Sequence, residues 1–73
     1  MFGIPKETLD MLRKEYAPGT RVRLVSMDDP FSRLSAGAEG TVIAVDDIGT
    51  IHIAWDFGSS LGAVYGEDKV VKI

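Results

Sequence analysis

Two pairs of adjacent carboxylates are the residues of this chain best suited to bind a metal ion or to act as an acid and a base. Asp28 and Asp29 stand in the stretch SMDDP, and Asp46 and Asp47 stand in VDDIG. Acid/base catalysis needs two carboxyl groups in contrasting environments, and Ca²⁺ needs about six to eight oxygen ligands. Sequence neighbours on one loop are usually both solvated, and this spacing matches no calcium-binding loop. We therefore expect both pairs to serve turns and loops, with no catalytic or metal-binding role.

The other reactive side chains also lack the partners that their chemistry needs. His52 is the only histidine and the chain has no cysteine, so the usual ligands of a zinc site are missing. No base is evident for Ser59 or Ser60. Gly37 and Gly40 precede neither a helix nor the Lys-Ser/Thr pair of a phosphate-binding loop. The sequence predicts a protein that is not an enzyme and that holds no cofactor and no metal.

Length and composition indicate a single small globular domain that spans residues 1–73. The apolar fraction is 45% and the charged fraction is 26%, both ordinary for a folded protein. The net charge of -3 disfavours non-specific binding to nucleic acid. No segment approaches the roughly 20 apolar residues of a membrane span, and we expect a cytoplasmic protein without cysteine chemistry.

The first element predicted is one amphipathic helix at about residues 5–16. Leu9, Leu12 and Tyr16 recur at spacings of three and four, which gives one apolar stripe with Met11 at its edge. Pro18 then ends the helix, because proline disfavours helical geometry in the residue before it. A helix this short is marginal alone, so its stripe must pack on the rest of the domain.

After Gly19 the hydrophobic period changes to two, which is typical of strands. The segments TRVRLVSM, GTVIAV, TIHIAW, SSLGAV and KVVKI predict five short strands, separated by Gly and Asp turns. Strands of this length at close spacing favour a small barrel or sandwich at about residues 20–73.

The second and third strands are predicted to form a hairpin, because VDDIG has the residues of a type I turn with a glycine bulge. Asp46 occupies turn position i and Gly49 position i+3. The simplest register pairs Val45 with Ile51, Ile43 with Ile53, and Thr41 with Trp55. Its apolar face carries Ile43, Val45, Ile51, Ile53 and Trp55, and its other face carries Val42, Ala44, Thr50, His52 and Ala54.

The motifs GTRVRLVSMDDP, GAEGTVIAVDDIGTIHIAWDFGSSL and GEDKVVKI resemble a small bacterial family of domains of unknown function. The resemblance spans nearly the whole chain. It implies an SH3-like barrel of five antiparallel strands with one N-terminal helix, an origin in phages or mobile elements, and no established activity. The chain departs from the family pattern by placing Phe31 and Leu34 in the long loop and Phe57 in the turn WDFG.

We expect a non-enzymatic interaction module that binds a protein or peptide through the 28–39 loop and the 46–49 turn. This expectation rests on apolar side chains that lie on loops beside acidic residues, since small barrels bind peptides through such surfaces. The candidate contact residues are Met27, Asp28, Asp29, Phe31, Asp46, Asp47, Trp55 and Phe57. Of these, Trp55 is also expected in the core or lining it, and Tyr65 could join the same surface.

Two other functions stay open at this point. A nucleic-acid-binding barrel would use Lys14, Arg21 and Arg23 with an aromatic, against the charge balance. A small acidic phage inhibitor of a host defence enzyme, such as a CRISPR nuclease, would use its carboxylates to mimic phosphates. An exposed sheet edge also leaves room for a homodimer.

Overall fold

The computed structural model describes residues 4–27 and 35–73, which form one helix and one sheet. The elements are α1 (Lys6–Glu15), β1 (Arg21–Ser26), β2 (Glu39–Val45), β3 (Thr50–Trp55), β4 (Ser60–Val64) and β5 (Lys69–Lys72). The sheet is antiparallel with the order β4-β3-β2-β1-β5, so the last strand returns to pair with the first. The prediction of a mainly β fold with an N-terminal helix is confirmed.

The predicted closure into a barrel is not observed among the described residues. Strand pairing ends at β4 on one side and at β5 on the other, so the sheet has two edges. Among the described residues, the segment that joins β4 to β5 belongs to no strand, and its one β-bridge pairs Tyr65 with Asp68. A four-residue β5 pairs with β1 along its length and presents its other side as an edge.

Helix α1 packs its apolar stripe on the sheet, as its spacing predicts. Leu12 is 2% exposed, and Leu9 and Tyr16 pack against the core from partly buried positions. Pro5 directly precedes the helix, and its carbonyl accepts the amide of Leu9 at 3.0 Å. The core joins this stripe to the inner face of all five strands. Its buried hydrophobic residues are Leu12, Val22, Leu24, Val42, Val45, Ile51, Ile53, Trp55, Ala63 and Val70.

The predicted β2–β3 turn is confirmed. The amide of Gly49 donates to the carbonyl of Asp46 at 3.1 Å, and the amide of Asp46 donates to that of Thr50 at 3.0 Å. Gly49 has a φ of 84°, a conformation that suits glycine. The first predicted pair, Val45 with Ile51, is also observed.

Beyond that pair the predicted register is wrong. Val42, rather than Ile43, pairs with Ile53, and Gly40, rather than Thr41, pairs with Trp55. The cause is a bulge between Val42 and Ala44, since one extra residue on one strand shifts every later pair. As a result Val42 is buried, whereas Ile43 is 52% exposed and does not belong to the apolar face.

The shifted register brings the backbones of β2 and β3 close together at Gly40. A Cβ at this position would lie 2.7 Å from Cγ2 of Ile53 and 2.8 Å from the carbonyl oxygen of Ala54. These separations are shorter than van der Waals contact, so glycine is required by packing here. The close approach holds the start of β2 against the end of β3, beside the turn that carries Phe57.

Candidate functional site

The carboxylate of Asp46 accepts hydrogen bonds that stabilise the β2–β3 turn. Its Oδ1 accepts the amides of Ile48 at 3.1 Å and Thr50 at 2.9 Å, and Nε2–H of His52 donates to Oδ2 at 2.8 Å. The hydrogen bond from His52, followed by those from the two amides, lowers the pKa of Asp46 below its ordinary value. This aspartate therefore acts as a structural anion in the turn.

Asp47, the second acid of the turn, ties it to the helix. Nη2 of Arg13 lies 2.6 Å from Oδ1 of Asp47, and Nε of the same arginine donates to the carbonyl of Val45 at 3.3 Å. Arg13 thus joins the end of β2 to α1. Both acids of VDDIG have structural partners, which agrees with the expectation that this pair serves the turn.

The cations proposed for nucleic acid already lie beside carboxylates. Arg21 donates two hydrogen bonds to Asp56, at 2.7 and 2.6 Å, and Arg23 lies 3.1 Å from Glu39. The bidentate pair lowers the pKa of Asp56 and raises that of Arg21. Lys14 lies on the outer side of α1, in a shallow depression that also contains Glu7 and Asp10. Each of these three cations therefore lies beside at least one carboxylate.

The remaining contact candidates are distributed over different environments. Trp55 is 3% exposed, and its Nε1–H donates to the carbonyl of Leu61 at 3.0 Å, so its side chain belongs to the core. Met27 is partly buried against the core. Phe57 is 59% exposed in the β3–β4 turn, next to Gly58 with its φ of 102°.

The rest of the predicted contact surface cannot be placed on this fold. Asp28, Asp29 and Phe31 lie outside the described residues. Their loop precedes β2 and the 46–49 turn follows it, and seven extended residues span roughly 20 Å. The prediction that the 28–39 loop and the 46–49 turn act together therefore stays a prediction.

A concave groove lies between α1 and the β4–β5 connector, and we call it the helix groove. The connector comprises residues 65–68. The helix groove has a volume of about 510 Å³, within the range of pockets that bind ligands. Buried apolar side chains from the core line it, namely Leu12, Ile51, Ala63 and Val70.

Two large apolar side chains stand partly in solvent at the helix groove. Met11 of α1 is 43% exposed and Tyr65 of the connector is 49% exposed. The 46–49 turn borders the connector, since the amide of Tyr65 donates to the carbonyl of Gly49 at 3.4 Å. Ile48 at the tip of that turn is 74% exposed. The turn that the sequence proposed for contact thus borders the connector and carries an exposed apolar side chain.

The charged groups that line the helix groove are mostly acidic. They are Glu15, Glu67, Asp68 and Lys69. Oε2 of Glu15 lies 2.9 Å from Nζ of Lys72, and Oδ2 of Asp68 accepts the amide of Val64 at 2.9 Å. The side chain of Glu67 has no hydrogen bond or ion pair within residues 4–27 and 35–73. Glu67 is therefore a carboxylate of the helix groove whose charge no described side chain neutralises.

Sequence reasoning missed the helix groove because its walls are far apart in the chain. The sequence pattern places Tyr65 only as a candidate neighbour of Trp55, and Met11 only at the edge of the helical stripe. The available signal was Met11 itself, an apolar side chain beside the acids Asp10 and Glu15. Its partner surface becomes visible only once the β4–β5 connector is folded against α1.

No group of three or more His, Asp or Glu side chains in the described parts of the chain is arranged to hold a metal ion. Within the same residues, no helix is long and apolar enough to cross a membrane.

A family model described as "Domain of unknown function (DUF4314)" matches residues 5–73. A search of curated proteins finds no match.

Proposed function

The chain belongs to this family of domains of unknown function, and from that premise we propose that it is a non-enzymatic module that binds a protein partner through the helix groove. The observation that carries the proposal is an apolar groove of about 510 Å³ that has solvent-exposed Met11 and Tyr65 at its opening. Buried pockets that accept apolar anchors supply most of the affinity in protein interfaces.

The charges at the helix groove indicate what the partner segment carries. Glu15, Glu67 and Asp68 outnumber Lys69, so a segment with lysine or arginine beside its apolar anchor is complementary to this surface. The proposed occupant is therefore a short peptide segment with one large apolar side chain and basic neighbours.

The 46–49 turn also belongs to the proposed binding surface, but through the side chain of Ile48 and not through its two carboxylates. Its carboxylates are engaged by His52 and Arg13, whereas Ile48 is exposed at the tip. Contact through the 28–39 loop stays a prediction, because residues 28–34 lie outside the described part. An origin in a phage or mobile element and the inhibitor hypothesis stay predictions from the resemblance.

We also propose the SH3-like arrangement that the family resemblance implies. The strand order supports it, since β5 pairs with β1 while β2, β3 and β4 follow as a meander. The bulge between Val42 and Ala44 supports it further, because a bulged strand bends and curls its sheet. An experimental structure with a flat sheet would contradict this proposal.

A titration with two synthetic peptides tests the binding proposal. One peptide has a central leucine flanked by lysines, and the matched peptide has glutamates in place of those lysines. Amide NMR signals of α1 and residues 65–68 should shift with the lysine peptide and not with the glutamate peptide. The variant Glu67→Lys should weaken binding of the lysine peptide roughly tenfold, equivalent to about 1.4 kcal/mol.

The control is Ile43→Lys, which places the same lysine at an exposed position on β2 but changes the net charge by one unit, where Glu67→Lys changes it by two. This variant should bind the lysine peptide like the unmodified protein. If the lysine peptide shifts no signals in the helix groove, or if Ile43→Lys weakens its binding as much as Glu67→Lys, the groove is not the binding site.

A further inference from the structure

The two edges of the sheet differ in their protection against pairing with another strand. The edge strand β5 carries Lys69 and Lys72, and charged side chains, especially lysine, are a common protection of edges. The edge strand β4 reads SLGAV, with no charged residue and no proline. Within the described residues, β4 is therefore the unprotected edge.

The backbone of β4 has a defined set of outward-facing groups. The amide of Trp55 donates to the carbonyl of Ser59 at 2.8 Å, which fixes the alternation of the β3–β4 ladder. Leu61 and Ala63 then bond to β3, whereas the amides and carbonyls of Ser60, Gly62 and Val64 point away from it.

Val64 already has partners on the outer side of β4. Its amide donates to Oδ2 of Asp68 at 2.9 Å, and its carbonyl accepts the amide of Asp68 at 2.9 Å. Among the described residues, this leaves the outward amides and carbonyls of Ser60 and Gly62 without a strand to pair with. The open part of the edge is thus a short stretch centred on Leu61.

We propose that β4 pairs antiparallel with β4 of a second copy of the chain, about a twofold axis at Leu61. Residues equally far from the axis pair with each other, so Ser60 of each copy meets Gly62 of the other. Those pairs are hydrogen-bonded ones, and they satisfy all of the outward groups of Ser60 and Gly62 on both copies. The short open edge is therefore complementary to itself.

Side chains near the axis fit the same arrangement. The two copies of Leu61 would form a non-hydrogen-bonded pair, in which Cα atoms are about 4.5 Å apart. Leu61 is partly buried and packs against the core, so this pair would extend the apolar core from one copy to the other. Phe57 and Tyr65 are equally far along the chain on either side of Leu61, and both are exposed. The twofold axis brings the Phe57 end of one edge to the Tyr65 end of the other.

Charge favours a second copy at β4 and disfavours one at β5. Two copies of β4 bring no like charges together, whereas two copies of β5 would oppose their lysines. The paired segment is short, so the buried area falls below that of standard stable interfaces and the association is weak. We therefore expect a dimer that forms at high protein concentration and dissociates on dilution.

Cysteine cross-linking of the purified chain tests the proposed axis, because the natural sequence has no cysteine. In Leu61→Cys, the two thiols should lie within disulfide range across the axis, so mild oxidation should give a covalent dimer rapidly. The matched control is Val71→Cys on the opposite edge strand, where Val71 is 39% exposed. Cross-linking of Leu61→Cys no faster than that of Val71→Cys would overturn the proposal.

Sedimentation equilibrium provides a second measurement that needs no change in the core. Ser60→Pro removes an outward amide at the first residue of a strand, where proline is tolerated. It should abolish the concentration-dependent rise in mass, whereas Lys72→Pro on the other edge should leave it in place. If the unmodified chain stays monomeric up to the highest soluble concentration, the proposed pairing of two β4 strands is wrong. Peptide binding in the helix groove, measured on dilute protein, is independent of either result.

Discussion

The β2–β3 turn and the β4–β5 connector lie side by side but use their polar residues differently. In the turn, the carboxylates of Asp46 and Asp47 are both bound to protein groups. In the connector, Asp68 bonds to Val64, while Glu67 has no side-chain partner within the described residues and Tyr65 is 49% exposed. The two acids of the turn thus hold the fold, whereas the connector beside them leaves an apolar side chain and a carboxylate exposed to solvent.

Of the substitutions that test this comparison, Leu12→Ala should lower the free energy of unfolding most, because Leu12 contacts both regions. Leu12 lines the helix groove and also packs beside the β2–β3 turn. A Cβ atom added at Gly49 of that turn would lie 3.7 Å from Cδ1 of Leu12. Its side chain is 2% exposed, so truncation should lower the free energy of unfolding by about 2–5 kcal/mol. Denaturant unfolding measures the loss. Met11→Ala, at the exposed edge of the same groove, is the control and should cost far less.

The substitution Asp46→Asn should have an intermediate effect that depends on pH. Hydrogen bonds from His52 and the turn amides lower the pKa of Asp46 from its ordinary value of 3.8. A carboxyl with a lowered pKa stabilises the fold above its ordinary pKa, and this contribution is lost as pH falls through the folded value. Thermal unfolding at neutral pH should therefore occur at a lower temperature in Asp46→Asn than in the unmodified chain.

The same difference should shrink as the pH is lowered below 3.8. Asp46 of the unmodified chain becomes protonated as the pH falls through its folded pKa, which lies below 3.8, and it then loses its charged hydrogen bonds. A gap between the two proteins that stays constant down to the lowest pH at which both fold would show that the carboxylate charge does not stabilise the turn.

The substitution Asp47→Asn should have the smallest effect, although it alters the same turn in the same way. Asp47 is 94% exposed and its partner Arg13 is 44% exposed, and exposed ion pairs contribute at most about 1 kcal/mol. Denaturant unfolding at low and at high salt measures it. The comparison fails if Asp47→Asn destabilises the chain more than Asp46→Asn does at neutral pH.

The local elements were predictable because each depends on residues close together in the chain. The helical stripe of Leu9, Leu12 and Tyr16 and the turn from Asp46 to Gly49 both follow from short-range spacing, and both are observed. The exposure of Phe57 also followed, since an aromatic at a turn tip has no core to enter.

The features that escaped prediction depend on the backbone rather than on side-chain type. The bulge near Ile43 leaves no mark in the hydrophobic pattern, because VIAV is apolar throughout and reads equally well in either register. The open sheet and the helix groove depend on how distant segments approach each other. Trp55 was proposed both for the core and for contact, and only the fold shows that its indole is buried.

The bulge also suggests how the length of β2 can vary between related sequences. Val42 and Val45 are buried, and Ile43 and Ala44 between them are both exposed. Removing Ile43 would leave buried, exposed and buried residues in strict alternation, with Val42 still opposite Ile53 and Ala44 still opposite His52. Ile43 therefore behaves as a one-residue insertion in an otherwise regular strand. A homologue that lacks it would keep the same core and lose only the local bend and one exposed apolar side chain.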